Sequence, residues 1–296
     1  MIKRIINKII RTIDEYKNLK SLNAYFQNKS GIYEFSRKDL DLYKIETKTK
    51  LFPKKTKKIN DNLSIVSILK HEIYWPNNVS DSDLPWLYHE IFDSYESNPS
   101  SYNHPNICYQ DADWVIDAGC CEGYFSLFVY DNNKTCSVFA LEPLKEMKES
   151  LLRTFKTKIE QNKFNLISKA LGKEPGKAKF SCDDNHLCDS SITNNNNTQS
   201  YEVEITSLDI LIKENNLTEN GIIKMDIEGA EMDALKGGCN IMKKYKPMMA
   251  IAVYHDYENA IKCRNIILKA NPEYKTEFRG MYGYFSPPRP YILFAW

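Results

Sequence analysis

Long apolar runs are missing from this chain of 296 residues. None approaches the ~18–20 residues that a membrane-spanning helix requires. The opening Met1-Ile-Lys-Arg-Ile-Ile-Asn also lacks the uninterrupted apolar core of a secretory signal. No membrane span is expected. Cys-x-x-Cys is missing too: the eight cysteines are scattered apart from the pair Cys120-Cys121, so a metal cluster or a disulfide scaffold is poorly supported. A reducing cytoplasm is the expected location. No Gly-x-Gly-x-x-Gly occurs, which disfavours an NAD-dependent dehydrogenase. Hydrophobic residues make up 42% of the chain, enough to fill the core of one large α/β domain with an extension.

The most informative stretch is Trp114-Val-Ile-Asp-Ala-Gly-Cys-Cys-Glu-Gly-Tyr-Phe-Ser. Trp114, Val115 and Ile116 form a short apolar run suited to a buried parallel strand, and Gly119 and Gly123 punctuate a turn. From Tyr124 to Tyr130 the chain reads as the start of a helix. A strand, a glycine turn and a helix N-terminus gather backbone N–H groups around a polar ligand. The spacing is Asp117-x-Gly119-x-x-x-Gly123. An acid at the strand end repels a diphosphate but can accept hydrogen bonds from the cationic amino-acid end of a ligand such as S-adenosylmethionine. The pattern resembles motif I of the class I methyltransferases.

Ser137-Val-Phe-Ala-Leu reads as the next buried strand and ends in Glu142-Pro143. Glu142 follows Gly123 by 19 residues, where nucleotide-binding α/β folds place an acid that accepts the ribose hydroxyls. It could equally be an acid at the N-terminus of the helix through Leu144, Met147 and Leu151. Further on come Thr206-Ser-Leu-Asp and Lys224-Met-Asp-Ile-Glu-Gly-Ala-Glu-Met-Asp-Ala-Leu-Lys-Gly. With Asp-x-Gly-x-x-x-Gly-x-x-Ser and Glu-Pro before them, these motifs resemble, in order, those of the FkbM-type family of S-adenosylmethionine-dependent methyltransferases. The resemblance spans about residues 113 to 260, with Cys121 where the family often has Asn. It implies that Asp117, Ala118, Gly119, Cys120, Cys121, Gly123, Tyr124 and Phe125 hold the methionine end and turn of the cofactor, and that Glu142 with Pro143 holds the ribose.

Strand and helix alternate from residue 113 onward, which predicts an α/β, doubly wound, mostly parallel sheet of seven strands. The strands are expected near 114–118, 137–141, 165–170, 221–226, 248–254, 273–279 and 290–295. Helices are expected near 123–131, 144–161, 207–216, 229–236 and 258–270. The last two strands would form the antiparallel edge that class I methyltransferases share. The polar stretch 183–200, with Asn194 to Asn197, reads as a mobile low-complexity loop near the active face.

The net charge of +1 conceals an asymmetry: residues 1–58 carry 16 Lys and Arg against 6 Asp and Glu, the remainder 24 against 33. Residues 1–60 therefore read as a basic, largely helical extension, 61–112 as an aromatic-rich cap or connector, and 113–296 as the cofactor-binding domain. Ile2, Ile5, Ile6, Ile9, Ile10 and Ile13 recur at helical spacing among Lys3, Arg4, Lys8 and Arg11. Such a helix usually docks onto its own domain or a twin subunit, so a homo-oligomer is expected; the alternatives are an anionic inner membrane face or a glycan-assembly partner. Lys54-Lys-Thr-Lys-Lys58 has no interleaved aromatics and reads as a solvated loop, so no nucleic acid is expected.

Open α/β sheets bind ligands at the carboxyl ends of their strands, so Asp226 and Tyr254-His255-Asp256 should face the cradle. Lys224 and Asp226 share one strand face, and Glu228 and Glu231 one helix face. The candidate bases are His255, whose ordinary pKa suits proton transfer near neutrality, and Asp226, which can orient the acceptor or take its proton; Lys224 is the third catalytic candidate. Structural readings compete: a hydrogen-bonded His at a strand end, and an acid that is the ion-pair partner of Lys224. Some small-molecule O-methyltransferases hold magnesium or manganese at these two strand ends, and Asp226, Glu228 and His255 could supply the ligands, although no dedicated ligand spacing is evident. The expected function is O-methylation of a sugar hydroxyl, in a glycan or nucleotide-linked sugar of polysaccharide biosynthesis, or of a secondary metabolite. The alternatives are a small-molecule N-methyltransferase and a non-catalytic S-adenosylmethionine-binding scaffold subunit that recruits partners through residues 1–58.

Overall fold

The computed structural model describes residues 35–46, 50–181, 191–192, 200–256, 258–283, 285 and 287–296, and before them isolated positions between 6 and 24. At its centre is a seven-stranded sheet in the order β6-β5-β4-β11-β12-β14-β13. The strands are β4 (Trp114–Ala118), β5 (Ser137–Leu141), β6 (Phe164–Ile167), β11 (Gly221–Met225), β12 (Met248–Ala252), β13 (Thr276–Tyr282) and β14 (Arg289–Ala295). All neighbours pair in parallel except β14, which runs antiparallel to both β12 and β13. This is the doubly wound sheet with an antiparallel edge that the alternation predicts.

Period-two burial divides the strand residues between two cores. Val115, Val138, Ala140, Ile222 and Phe294 face one, packed under α3 (Tyr124–Asn132) and its aromatic neighbours Tyr88, Tyr102 and Tyr109. Trp114, Ile116, Phe139, Ile223, Met249 and Ile251 face the other, under α6 (Leu208–Glu214), α7 (Glu231–Lys236), α8 (Cys239–Lys244) and α9 (Asn259–Ala270). Both faces are covered, as the continuous apolar runs in these strands require. The expected helix 144–161 is two helices, α4 (Lys145–Thr154) and α5 (Lys156–Glu160), parted at Phe155, whose ring stacks on Phe164 at 4.0 Å.

Three features depart from the sequence reading. Lys54–Lys58 is not a loop but strand β1, at the edge of a three-stranded antiparallel sheet with β2 (Leu63–Ile68) and β3 (His71–Pro76). Its lysines are mostly exposed, and lysine on an edge strand blocks pairing with a second chain. A second small sheet follows β6, in the order β7 (Ala170–Leu171), β10 (Ser200–Thr206), β8 (Gly176–Ser181), β9 (Ser191–Ile192). Its signal was present in the alternation Tyr201-Glu-Val-Glu-Ile205, which a half-solvated strand requires. Of the expected loop 183–200, residues 191–192 and 200 are in strands and the rest, including Asn194 to Asn197, lies outside the described residues.

In the segment expected to be an extension, helix α1 (Arg37–Glu46) is described. Leu22 is fully buried against Leu40, Tyr43 and Met281. Ile6 and Ile13 of the isoleucine stripe are about half exposed, at 49% and 48%; Ile2, Ile5, Ile9 and Ile10 lie outside the described residues. Among the described residues no helix is long and apolar enough to cross a membrane. Helix α2 (Leu84–Phe92), within 61–112, packs Tyr88 and Phe92 against Tyr124 of α3.

Candidate active site

The strand order reverses direction between β4 and β11, and their carboxyl ends open the crevice that doubly wound folds use for ligands. Ala118 pairs with Met225 across this gap and with Leu141 on the other side. The glycine turn, Glu142 and Asp226 therefore emerge from three adjacent strands. Gly119 has φ +70, and a Cβ there would lie 1.9 Å from the carbonyl oxygen of Asp226. Only glycine lets the two strand ends approach this closely. Gly123, φ +88, is the N-cap of α3, where a Cβ would meet the Phe155 ring at 2.7 Å.

Beneath the turn lies a buried charge cluster. Register places Lys224 beside Asp117 on the neighbouring strand. The Asp117 carboxylate, wholly buried, accepts from the Ser126 hydroxyl at 2.7 Å and lies 3.3 Å from the Lys224 ammonium. Lys224 also donates to the Gly119 carbonyl at 2.7 Å. Burial opposes its charge, but Asp117, Asp226 and Glu122 more than offset this and hold its pKa above the ordinary value. Lys224, a catalytic candidate on sequence grounds, is thus a cation that ties the turn to β11 and has no tendency to release a proton. Asp117 faces inward to Ser126 and Lys224 rather than up into the crevice.

Glu142 joins the turn to the next loop, accepting from the N–H of Cys121 and of Leu144, both at 2.9 Å. Burial pushes its carboxyl up to about 7, and does the same to Glu122. Of the other cofactor candidates, Ala118 accepts from the Asp226 N–H at 3.1 Å through its carbonyl, and the Pro143 carbonyl accepts from Tyr201 at 3.2 Å. The Cys120, Tyr124 and Phe125 side chains are buried in the core, so only their backbones belong to the turn.

The other side of the crevice is acidic. Asp226 follows β11; Glu228, φ +53, and Gly229, φ +96, turn the chain before α7. Glu228 therefore stands in a left-handed turn and not on a helix face with Glu231. The buried Glu231 carboxylate fastens the turn, accepting from Ile227 N–H at 3.1 Å and Gly229 N–H at 3.3 Å. His255, just beyond β12, brings all three acids together. Its Nε2 is 3.2 Å from Glu228 and 3.6 Å from Asp226, and its Nδ1 is 3.4 Å from Glu231. Arg289 fixes this strand end by donating to the carbonyls of Tyr254, at 3.0 Å, and His255, at 2.7 Å. Burial alone would lower the His255 pKa, but Glu228, Glu231 and Asp226 raise it to about 9. The carboxylates around the ring therefore favour its protonated form, which has no lone pair to take a proton.

Sequence reading places Tyr102 only among the aromatics of the cap segment and not with Asp226, to whose Oδ2 its buried hydroxyl donates at 3.2 Å. The pair is 124 residues apart and no local pattern announces it. Glu122 and Ser126 were visible only as members of the motif around Asp117, and nothing in their spacing showed that one is a buried acid and the other a partner of Asp117.

Residues 117–284 match the family described as Methyltransferase FkbM domain. That is more than half of the chain, and the protein belongs to this family of S-adenosylmethionine-dependent methyltransferases. Among solved structures it is similar to the FkbM methyltransferase of Methylobacillus flagellatus KT, at 19% identity and TM-score 0.48, over 74% of this chain and 56% of that one. The chain thus spans a little over half the length of that relative. It is also similar to the fibrillarin of Aeropyrum pernix, solved with natively bound S-adenosyl-L-methionine, at 9% identity and TM-score 0.38, over 83% of this chain and 99% of that one. A putative O-methyltransferase of Klebsiella pneumoniae matches at 8% identity and TM-score 0.39, over 95% and 98%. No curated protein matches in sequence.

Proposed function

We propose that this chain transfers the methyl group of S-adenosylmethionine to a hydroxyl oxygen of a sugar, in a glycan or a nucleotide-linked sugar, acting in the cytoplasm. The observation that carries the reading is the backbone contact of Gly119 with Asp226: the turn that would hold the cofactor packs against the main chain of the residue whose carboxylate would meet the acceptor. The residues of the crevice suit the cofactor. The turn offers backbone groups, and the partly proton-retaining Glu142 stands at the end of β5, where ribose hydroxyls are bound in such folds.

The cofactor supplies an electrophilic methyl group on a sulfonium; the chain has to orient the acceptor, exclude water and remove one proton. Asp226 is suited to this. Tyr102 fixes its Oδ2, while its Oδ1 is buried without a hydrogen bond and so is available to an acceptor hydroxyl. The acid-rich surroundings favour oxygen over nitrogen: Asp226 and Glu228 would hold an amine as its ammonium, which has no free lone pair. The support for a sugar is the aromatic wall beside the acids, where the half-buried Tyr254 ring lies tilted against His255 at 4.1 Å and against Tyr282 at 4.8 Å, an apolar cluster suited to the apolar side of a pyranose.

The test is transfer of labelled methyl from S-adenosylmethionine to panels of nucleotide sugars, glycans and amines, with S-adenosylhomocysteine binding followed by calorimetry. Asp226→Asn is expected to lower transfer by ~10²–10⁴-fold, the usual worth of a positioned base, with S-adenosylhomocysteine affinity nearly unchanged. Transfer to amines alone, or full turnover in Asp226→Asn, would sink the reading. No S-adenosylhomocysteine binding by the folded chain would point instead to a partner-recruiting role.

A further inference from the structure

We infer that Asp226, Glu228 and His255 form a seat for one divalent cation of the manganese or magnesium class, with Glu231 as the positioning residue behind His255. The inference deepens the reading of this cleft as the acceptor side.

One donor atom from each of the three residues lies within 4.8 Å of the others. The two measured separations from His255 Nε2, 3.2 Å to Glu228 and 3.6 Å to Asp226, are close to the ~3 Å edge of an octahedron whose metal–ligand distances are about 2.1–2.2 Å. A small side-chain adjustment would put all three donors in the first coordination shell of a single ion.

The second observation is the state of the polar atoms. The His255 side chain is nine-tenths buried, and neither of its ring nitrogens has a hydrogen bond; nor has Asp226 Oδ1. Burying a nitrogen this way without a hydrogen bond is unfavourable. An ion among the three donors would satisfy Nε2 and Asp226 Oδ1 at once, taking the place of the ring proton.

The surroundings also have the form of a ligand site. Metal-bound histidines commonly present the other ring nitrogen to a carboxylate, which sets the tautomer and the ring orientation. Glu231 stands at Nδ1 in that role, and its own position is fixed by the N–H groups of Ile227 and Gly229 in the turn that carries Glu228. Two carboxylates and one imidazole are a hard, mixed oxygen and nitrogen set, without thiolate. Three protein ligands leave coordination positions over, and the crevice side is where an acceptor would reach them. An acceptor with two neighbouring oxygens could then bind through both, with one of them acidified for transfer.

The experiment is titration of the 296-residue chain with Mn²⁺, followed by electron paramagnetic resonance, with S-adenosylhomocysteine affinity measured in parallel. One Mn²⁺ per chain is expected, with nitrogen hyperfine coupling from His255. Glu228→Gln and Asp226→Asn should weaken Mn²⁺ binding at least tenfold, and Glu231→Gln, acting through His255, by ~10-fold with an altered nitrogen coupling. Circular dichroism confirms that each variant is folded; should Glu231→Gln fail to fold, the partly exposed Glu228 remains the deciding position. Absence of Mn²⁺ binding, or equal binding in wild type and Glu228→Gln, overturns the inference. Retained S-adenosylhomocysteine binding in that case leaves the methyltransferase reading standing, whereas loss of both strikes the reading of the crevice itself.

Discussion

The two walls of the crevice treat buried charge in opposite ways. On the β4 side, Asp117, Lys224, Ser126 and Glu142 direct their polar atoms at one another and at the turn's own backbone, through Gly119, Cys121 and Leu144. On the β12 side, Asp226, Glu228, Glu231 and His255 crowd together and leave Asp226 Oδ1, Glu231 Oε2 and both His255 nitrogens without hydrogen bonds, whereas in the first wall only Asp117 Oδ1 among these residues lacks one, and it faces the Lys224 ammonium at 3.3 Å. Buried polar groups in a finished core are almost always bonded, so an exception is a pointer to function. The first wall is built to hold a shape; the second is built to meet something absent from the chain itself.

The largest consequence falls on the first wall. Lys224→Met would leave the wholly buried Asp117 without its cation, and breaking one partner of a buried pair costs about 3–5 kcal/mol. Urea denaturation near neutral pH should show a loss of that size. A loss below about 1 kcal/mol would mean that Asp117 is not held as an ion, and the contrast between the walls would collapse.

A second consequence concerns pH. Glu122 is buried and its pKa is raised from about 4.5 to about 7, chiefly by burial. Between these values the folded chain keeps a proton that the unfolded chain has lost. Stability is therefore expected to fall as pH rises through that window, and the cost is complete above it. Glu122→Gln removes this term, so the variant should be the more stable above pH 7, by at most about 3 kcal/mol, and little different near pH 4. Melting temperatures of both proteins across pH 4–8 decide it; parallel curves would show that Glu122 does not titrate in the folded state as its burial requires.

The first wall was legible in the sequence because its residues are consecutive or fixed by strand pairing. Strands β4 and β5 fall at the expected residues 114–118 and 137–141, since apolar runs bounded by turn residues are short-range signals. The second wall was legible only as a list of names. Asp226, Glu228 and His255 lie in or near recognisable motifs, but the left-handed turn at Glu228 and the approach of Tyr102 from another segment are products of tertiary packing. The same limit explains the misreading of Lys54–Lys58: a run of lysines has no apolar period, and its strand exists because β2 offers a pairing edge. His255 shows the limit in chemical terms, since the position of an imidazole in sequence says nothing about the three carboxylates of residues 226–231 gathered around it.

The smallest stability effect should come from the second wall, and it completes the contrast. Glu228 is partly exposed, at 22%, and one of three carboxylates around a single histidine, so removing its charge relieves repulsion from Asp226 and Glu231 while it weakens one contact to His255. These terms oppose each other, and Glu228→Gln should shift stability by less than about 1 kcal/mol, the range of an ordinary partly exposed ion pair. Methyl transfer should nevertheless fall on the proposed reading, in which the crowded acids serve the reaction and not the fold. Urea denaturation and turnover measured on the same preparation would show the separation; a variant that lost several kcal/mol while keeping full turnover would reverse the roles assigned to the two walls.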